Sequence, residues 1–290
     1  MQRRVTVEGN SGEEKSGKGS AVDSLAGNHA SKGWLATVPR WVITTVSVIV
    51  FLVGWQIGAG YVNPIMLAPP SKIAVAFVQL SASGILWPAV ASSLSSFLVG
   101  FALAILIGIP LGLLIGTSRT AESGIGIYIT AGYAAPMVAF VPLLTLWFGL
   151  GFAVKAVVVF VMALFPVCIN TWLGVKAVPK ELTEVGRAFV APRSVIIRRI
   201  VLPATLPSIM AGIKLSGGRA VIGVVIAEFF TAISGLGGVI INASSNFETA
   251  RMFVPIVILM LLALVVNRLV TIVAEIVAPW QKELASKQDD

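Results

Sequence analysis

The feature that most limits this chain is a series of apolar runs, each longer than the roughly 18 residues a bilayer span requires. They fall at 41–60, 89–117, 123–154, 156–175, 208–232 and 251–277. The second and third are long enough to need tilt, kinks or an interfacial portion. Lys214, Arg219 and Glu228 interrupt the fifth, and Arg268 and Glu275 the sixth. The expected fold is all-α, a polytopic bundle of about six transmembrane helices. Apolar residues make up 57% of the chain and charged residues only 12%, about half the usual globular share of charge. A soluble two-domain enzyme is excluded.

Residues 1–40 are polar and rich in Gly, Ser and Lys, without an apolar core of their own. They read as a disordered tail rather than a cleaved leader, which leaves the first span as an uncleaved signal-anchor. Orientation follows the Lys and Arg of the short connections. One side holds Arg3, Arg4, Lys15, Lys18, Lys32, Arg40, Arg119, Lys176, Lys180, Arg187, Arg193, Arg198, Arg199, Lys282 and Lys287, and the other only Lys72, Lys155 and Arg251. Both termini, including a short tail at 281–290, and the loop at 177–206 are therefore expected in the cytoplasm of a bacterium, with 41–280 forming the inner-membrane domain. The net charge of +8 is accounted for by this bias, so nucleic acid is not invoked as a partner.

Cys168 is the single cysteine, so no intramolecular disulfide forms, and beside Pro166 it reads as a small buried thiol. His29 has no ligand partners in its tail, and no metal site is expected. Trp41, Trp55, Trp87 and Trp280 fall near span ends, where indoles anchor at the interface. Two segments imitate nucleotide-binding motifs. Residues 12–19 resemble a P-loop but place Gly19 where the motif needs Ser or Thr for magnesium. Leu215-Ser216-Gly217-Gly218-Arg219 resembles an ATPase signature, yet it lies inside a span, where its small residues let helices approach closely. This chain is expected to bind no cofactor.

The charges of span five need protein or water around them, since each costs roughly 2.5–3.5 kcal/mol at the bilayer centre. Lys214 can snorkel to the interface. Arg219 falls near mid-depth, and Glu228 about 13 Å further along the helix, too far to pair with it. Each needs a partner elsewhere, in a pore or across a subunit interface. Arg219, Glu228 and Asn170 are the candidate path residues, with structural ion pairing and helix packing as their rival roles. Pro110, Pro136, Pro142 and Pro166 kink spans two to four. No paired acid and base or His/Cys cluster of a membrane enzyme is visible.

Between spans four and five lies a polar segment of unusual size. It runs Glu184-Val185-Gly186-Arg187-Ala188, turns near Val190 and Pro192, and ends Ile200-Val201-Leu202-Pro203 with Leu206-Pro207 beyond. Its two ends resemble in register the EAA loop by which ABC importer membrane subunits dock on their ATPase. Val185 and Gly186 stand for the two alanines of that motif, and Val190 for its glycine. Further blocks resemble the nitrate/sulfonate/taurine-type permeases of the binding-protein-dependent transport membrane component family. They are Ile65 to Ser71, Val141-Pro142-Leu143 with Leu146 to Gly149, Leu164-Phe165-Pro166 with Ile169 to Trp172, Leu206 to Gly212, Ala227-Glu228, and Ser234 to Gly237.

The resemblance implies a type I ABC importer permease fold with two copies of this subunit. It also implies an ATPase subunit that binds the ATP, and a periplasmic or lipid-anchored substrate-binding protein. Glu184, Val185, Gly186, Arg187, Ala188, Ile200, Leu202 and Pro203 would be coupling residues, not catalytic ones. The solute would be a small anion such as nitrate, a sulfonate or taurine, or else a vitamin or its precursor (riboflavin, a thiamine pyrimidine) or an aromatic acid. A secondary carrier would need an ion site and inverted repeats, and neither is evident. A scaffolding membrane protein would leave the loop's register without a reason.

Overall fold

The computed structural model describes residues 39–231 and 234–279, in two units, Met1–Val53 and Gly54–Asp290. Up to residue 38 the expected tail lies outside the described residues, as do His29, the P-loop look-alike, Trp280 and 281–290. In the first unit the described residues open α1 (Arg40–Gly58), apolar over a spanning length.

The second unit is helical throughout its described elements. After the end of α1 come α2 (Pro70–Ala82), α3 (Leu86–Thr117), α4 (Arg119–Ala134), α5 (Met137–Phe148) and α6 (Phe152–Lys176). Then follow α7 (Lys180–Ala188), α8 (Arg193–Ile196), a π-helical turn (Ile197–Val201), α9 (Leu202–Thr231), α10 (Leu236–Ser245) and α11 (Thr249–Val277). Five described helices are long and apolar enough to cross a membrane, and α4 with α5 make a sixth span if the bent pair counts as one.

That pair corrects the third apolar run. The run at 123–154 is not one helix: it bends by 100° between Ala134 and Met137. The cause is Pro136, which lacks an N–H and pushes Ala135 to extended backbone (φ −65°, ψ 138°). The last residues of the run belong to α6.

Helices α3, α6 and α9 form the packed centre. Gly100, Ala104, Gly108, Gly112 and Gly116 recur every fourth residue, so they make one stripe along α3. A Cβ at Gly112 would stand 2.5 Å from the Cys168 carbonyl oxygen, and one at Gly100 2.5 Å from that of Ala156. The stripe thus brings the α3 and α6 backbones into direct contact. Gly212 and Gly223 do the same between α6 and α9, and Gly174 makes room there for the side chains of Thr205 and Ser208. Around this centre Phe97, Val159, Val167, Ile213 and Val224 are buried together.

Candidate functional site

The polar loop folds as α7 packed on α8 and the π-helical turn. Pro179 precedes α7, Glu181 lies in its first turn and Arg187 in its last, which suits the helix dipole at both ends. Gly186 is buried, and its missing Cβ makes room for Ile196 Cγ1 at 3.0 Å and Ile200 Cδ1 at 3.1 Å. Ile200 therefore supports the helix from beneath, while Glu184, Val185, Arg187 and Ala188 remain exposed. Leu202 and Pro203 are half-buried at the start of α9. Pro203 has no N–H to offer the preceding turn, and the widened π-helical turn absorbs that break.

The helix ends in a Schellman turn. Ala191 N–H donates to Gly186 O at 3.0 Å, and Val190 N–H to Arg187 O at 2.8 Å. Such a turn needs a residue in the left-handed region, and Val190 takes it at φ +52°. This is the position where the loop motif has glycine.

Sequence reasoning missed two residues of this face. Leu182 and Phe189 are exposed, at 47% and 83%, and with Val185 they stand at i, i+3 and i+7. An apolar stripe on the outside of a polar helix needs a cover. The signal was present as helical spacing of apolar residues among charges.

The three path candidates are not brought together. Asn170 donates to Pro166 O at 2.8 Å within its own helix, and its Cβ lies against Gly212. Arg219 is half-buried and donates to the Tyr133 hydroxyl at 2.8 Å, with its guanidinium 4.3 Å from the ring centre. It borders a small cavity of about 120 Å³ with Tyr133, Met137, Met162 and Phe165.

Glu228 is completely buried and paired inside this chain, its Oε1 3.5 Å from Lys155 Nζ. Lys155 is itself a correction. It is 1% exposed, not a charge of an external connection, because α6 starts at Phe152 and carries it inward. Its ammonium donates to Ser92 Oγ (2.8 Å) and Ser234 Oγ (3.0 Å). Ser93 donates to Glu228 Oε1 (2.7 Å), and Gly237 N–H donates to Oε2 (2.8 Å). Leu236 N–H reaches Ser93 Oγ at 2.9 Å. The carboxylate thus receives the N-terminus of α10, where a negative charge is favoured. Gly235 sits directly over it: at φ +96°, a Cβ there would fall 1.8 Å from Glu228 Oε1. The Ser234–Gly237 block is a clasp across α3, α6, α9 and α10.

Residues 108–282 match the family model for the inner membrane component of binding-protein-dependent transport systems. The chain belongs to this family. It is 29% identical to the formylaminopyrimidine transport permease ThiX of Halalkalibacterium halodurans, over 82% of this chain and 96% of that one. It is 25% identical to the taurine transport system permease TauC of Escherichia coli, over 87% and 94%. An inward-facing structure of the MetNI methionine ABC transporter superposes with a TM-score of 0.58, at 18% identity, over 68% of this chain and 98% of the other. The fold is that of a type I ABC importer permease, and the chain is a multi-pass inner-membrane transport component. The family implies an ATPase and a substrate-binding protein as partners.

Proposed function

We propose that this subunit forms, with a second copy, the passage of an importer for a small anion, and that α7 is its contact with the ATPase. The observation that carries the coupling role is the face of α7. Leu182, Val185 and Phe189 are exposed beside Glu184 and Arg187 on a helix held rigidly at Gly186. An apolar stripe rimmed by charges suits a groove of a partner protein. ATP then binds to the partner, and its closure moves α7 and, through the continuous helix Arg193–Thr231, the spans.

Arg219 supports the passage and the pairing of copies together. A half-buried guanidinium in mid-span cannot face lipid at low cost, and it donates to the Tyr133 hydroxyl. A second copy closed over this surface would turn it into a water-filled route. There the remaining N–H groups of Arg219 could hold a sulfonate or carboxylate transiently through paired bonds. Likeness to a taurine permease supports the sulfonate reading. Likeness to a formylaminopyrimidine permease supports the second, in which the solute is a thiamine precursor.

The test is uptake into proteoliposomes holding the complete transporter, with taurine and formylaminopyrimidine as solutes. Arg219→Gln is expected to lower uptake of the anionic solute about tenfold, the worth of one charged hydrogen bond, with assembly intact. Unchanged anion uptake, or loss of assembly alone, would contradict the passage role. A binding protein that takes only formylaminopyrimidine would transfer the proposal to the second reading.

A further inference from the structure

At the α7 end of the spans lies a cleft of about 660 Å³ between the C-terminal ends of α3 and α6 and the N-terminal ends of α4 and α7. Five cations line it: Arg119, Lys176, Lys180, Arg187 and Arg193. Glu122 neutralises Lys176 at 2.6 Å. Arg193 donates to the Thr117 carbonyl at 2.7 Å, which fixes α8 against the end of α3. Glu181 and Glu184, on the same short helix, do not line the cleft.

Lys176 and Arg187 lie in last turns, which suit the helix dipole, but two of the cations run against it. Arg119 opens α4 and Lys180 opens α7, the two positions where the helix dipole already contributes positive potential and disfavours a cation. The other walls are apolar: Val175, Val178, Ile196, Ile197 and Val201. One turn before the lining residues Thr117 and Lys176, Leu114 and Leu173 are exposed on the spans.

We infer that the cleft is a binding site for a phosphate-bearing anion, supplied by the headgroup of an anionic phospholipid. The cations recognise the phosphate, as basic pockets at span ends do. The size suits a small polar group. The apolar lining, with Leu114 and Leu173 exposed one turn along the spans from Thr117 and Lys176, favours a lipid over free phosphate, which would leave that lining unused. The inference concerns a site apart from the solute passage and does not rest on what is carried.

The test uses the full-length subunit, alone and with its ATPase, in nanodiscs of phosphatidylcholine with a minor share of phosphatidylglycerol. After detergent extraction, the two lipids co-purifying with the protein are quantified. Phosphatidylglycerol should be enriched about fivefold or more over its bulk share, since one basic residue near a lipid phosphate contributes about that factor. Arg119→Gln with Lys180→Gln should abolish the enrichment. Arg198→Gln with Arg199→Gln removes the same charge from exposed residues outside the cleft and should leave it intact. No enrichment, or equal loss in both variants, would overturn the site. Displacement by millimolar inorganic phosphate would overturn the lipid source, and enrichment that vanishes once the ATPase is bound would assign the cleft to that partner.

Discussion

Two residues show how local geometry decides identity. Gly186 stands where the loop motif has alanine, and the reason is contact: Ile196 and Ile200 fill the space a Cβ would take. Val190 stands where the motif has glycine, and there the geometry is unfavourable. A left-handed backbone costs an L-residue roughly 1–2 kcal/mol, and glycine returns part of that through its freedom in the unfolded chain. Val190→Gly should therefore stabilise the subunit by about 0.5–1 kcal/mol, raising its melting temperature in detergent by about 2 °C. A lower melting temperature would show that the exposed isopropyl group has a contact of its own. The sequence alone locates both departures from the motif, but not their signs. Gly186 depends on side chains ten and fourteen residues later, and Val190 on a backbone angle that no pattern reports.

At the scale of elements, the spans themselves were legible, because a long apolar run admits few other readings. The bend at Pro136 was legible as a kink but not as a 100° turn. The stripe from Gly100 to Gly116 has a helical period in the sequence but went unread there, and which helix it meets depends on tertiary packing. Lys155 was misassigned because a window of hydropathy cannot say whether a charge ends a span or starts one. Its pairing with Glu228 explains why two charges persist where lipid would reject both. Removing one partner of such a pair leaves the other buried and uncompensated, at about 3–5 kcal/mol. Lys155→Met should accordingly destabilise the subunit severely, by thermal unfolding or by abundance in the membrane. Adding Glu228→Gln should restore much of the loss, since the amide can still bond Ser93 and Gly237. A double variant no more stable than the single one would mean that the ammonium's bonds to Ser92 and Ser234, rather than the charge pair, hold the clasp.

For the whole molecule, the clasp and α7 lie at opposite ends of α6 and α9. The chain enters α6 near Lys155 and leaves it beside α7, and α9 returns from α7 to Glu228. On the proposed coupling role, a pull on α7 would travel along two helices in backbone contact to the far end of the bundle. This needs α7 in the cytoplasm, where the excess of Lys and Arg would keep it. A cysteine at position 184 should be labelled by an impermeant maleimide in inverted vesicles and protected in intact cells. Labelling in intact cells would reverse the orientation. The most direct test of the account is Glu184→Lys in the complete transporter, read as ATP-dependent uptake into proteoliposomes. The account predicts uptake below about one-tenth of wild type, as expected when a charge is reversed in a docked interface, with the subunit folded and inserted. Normal uptake with the ATPase still bound would contradict it.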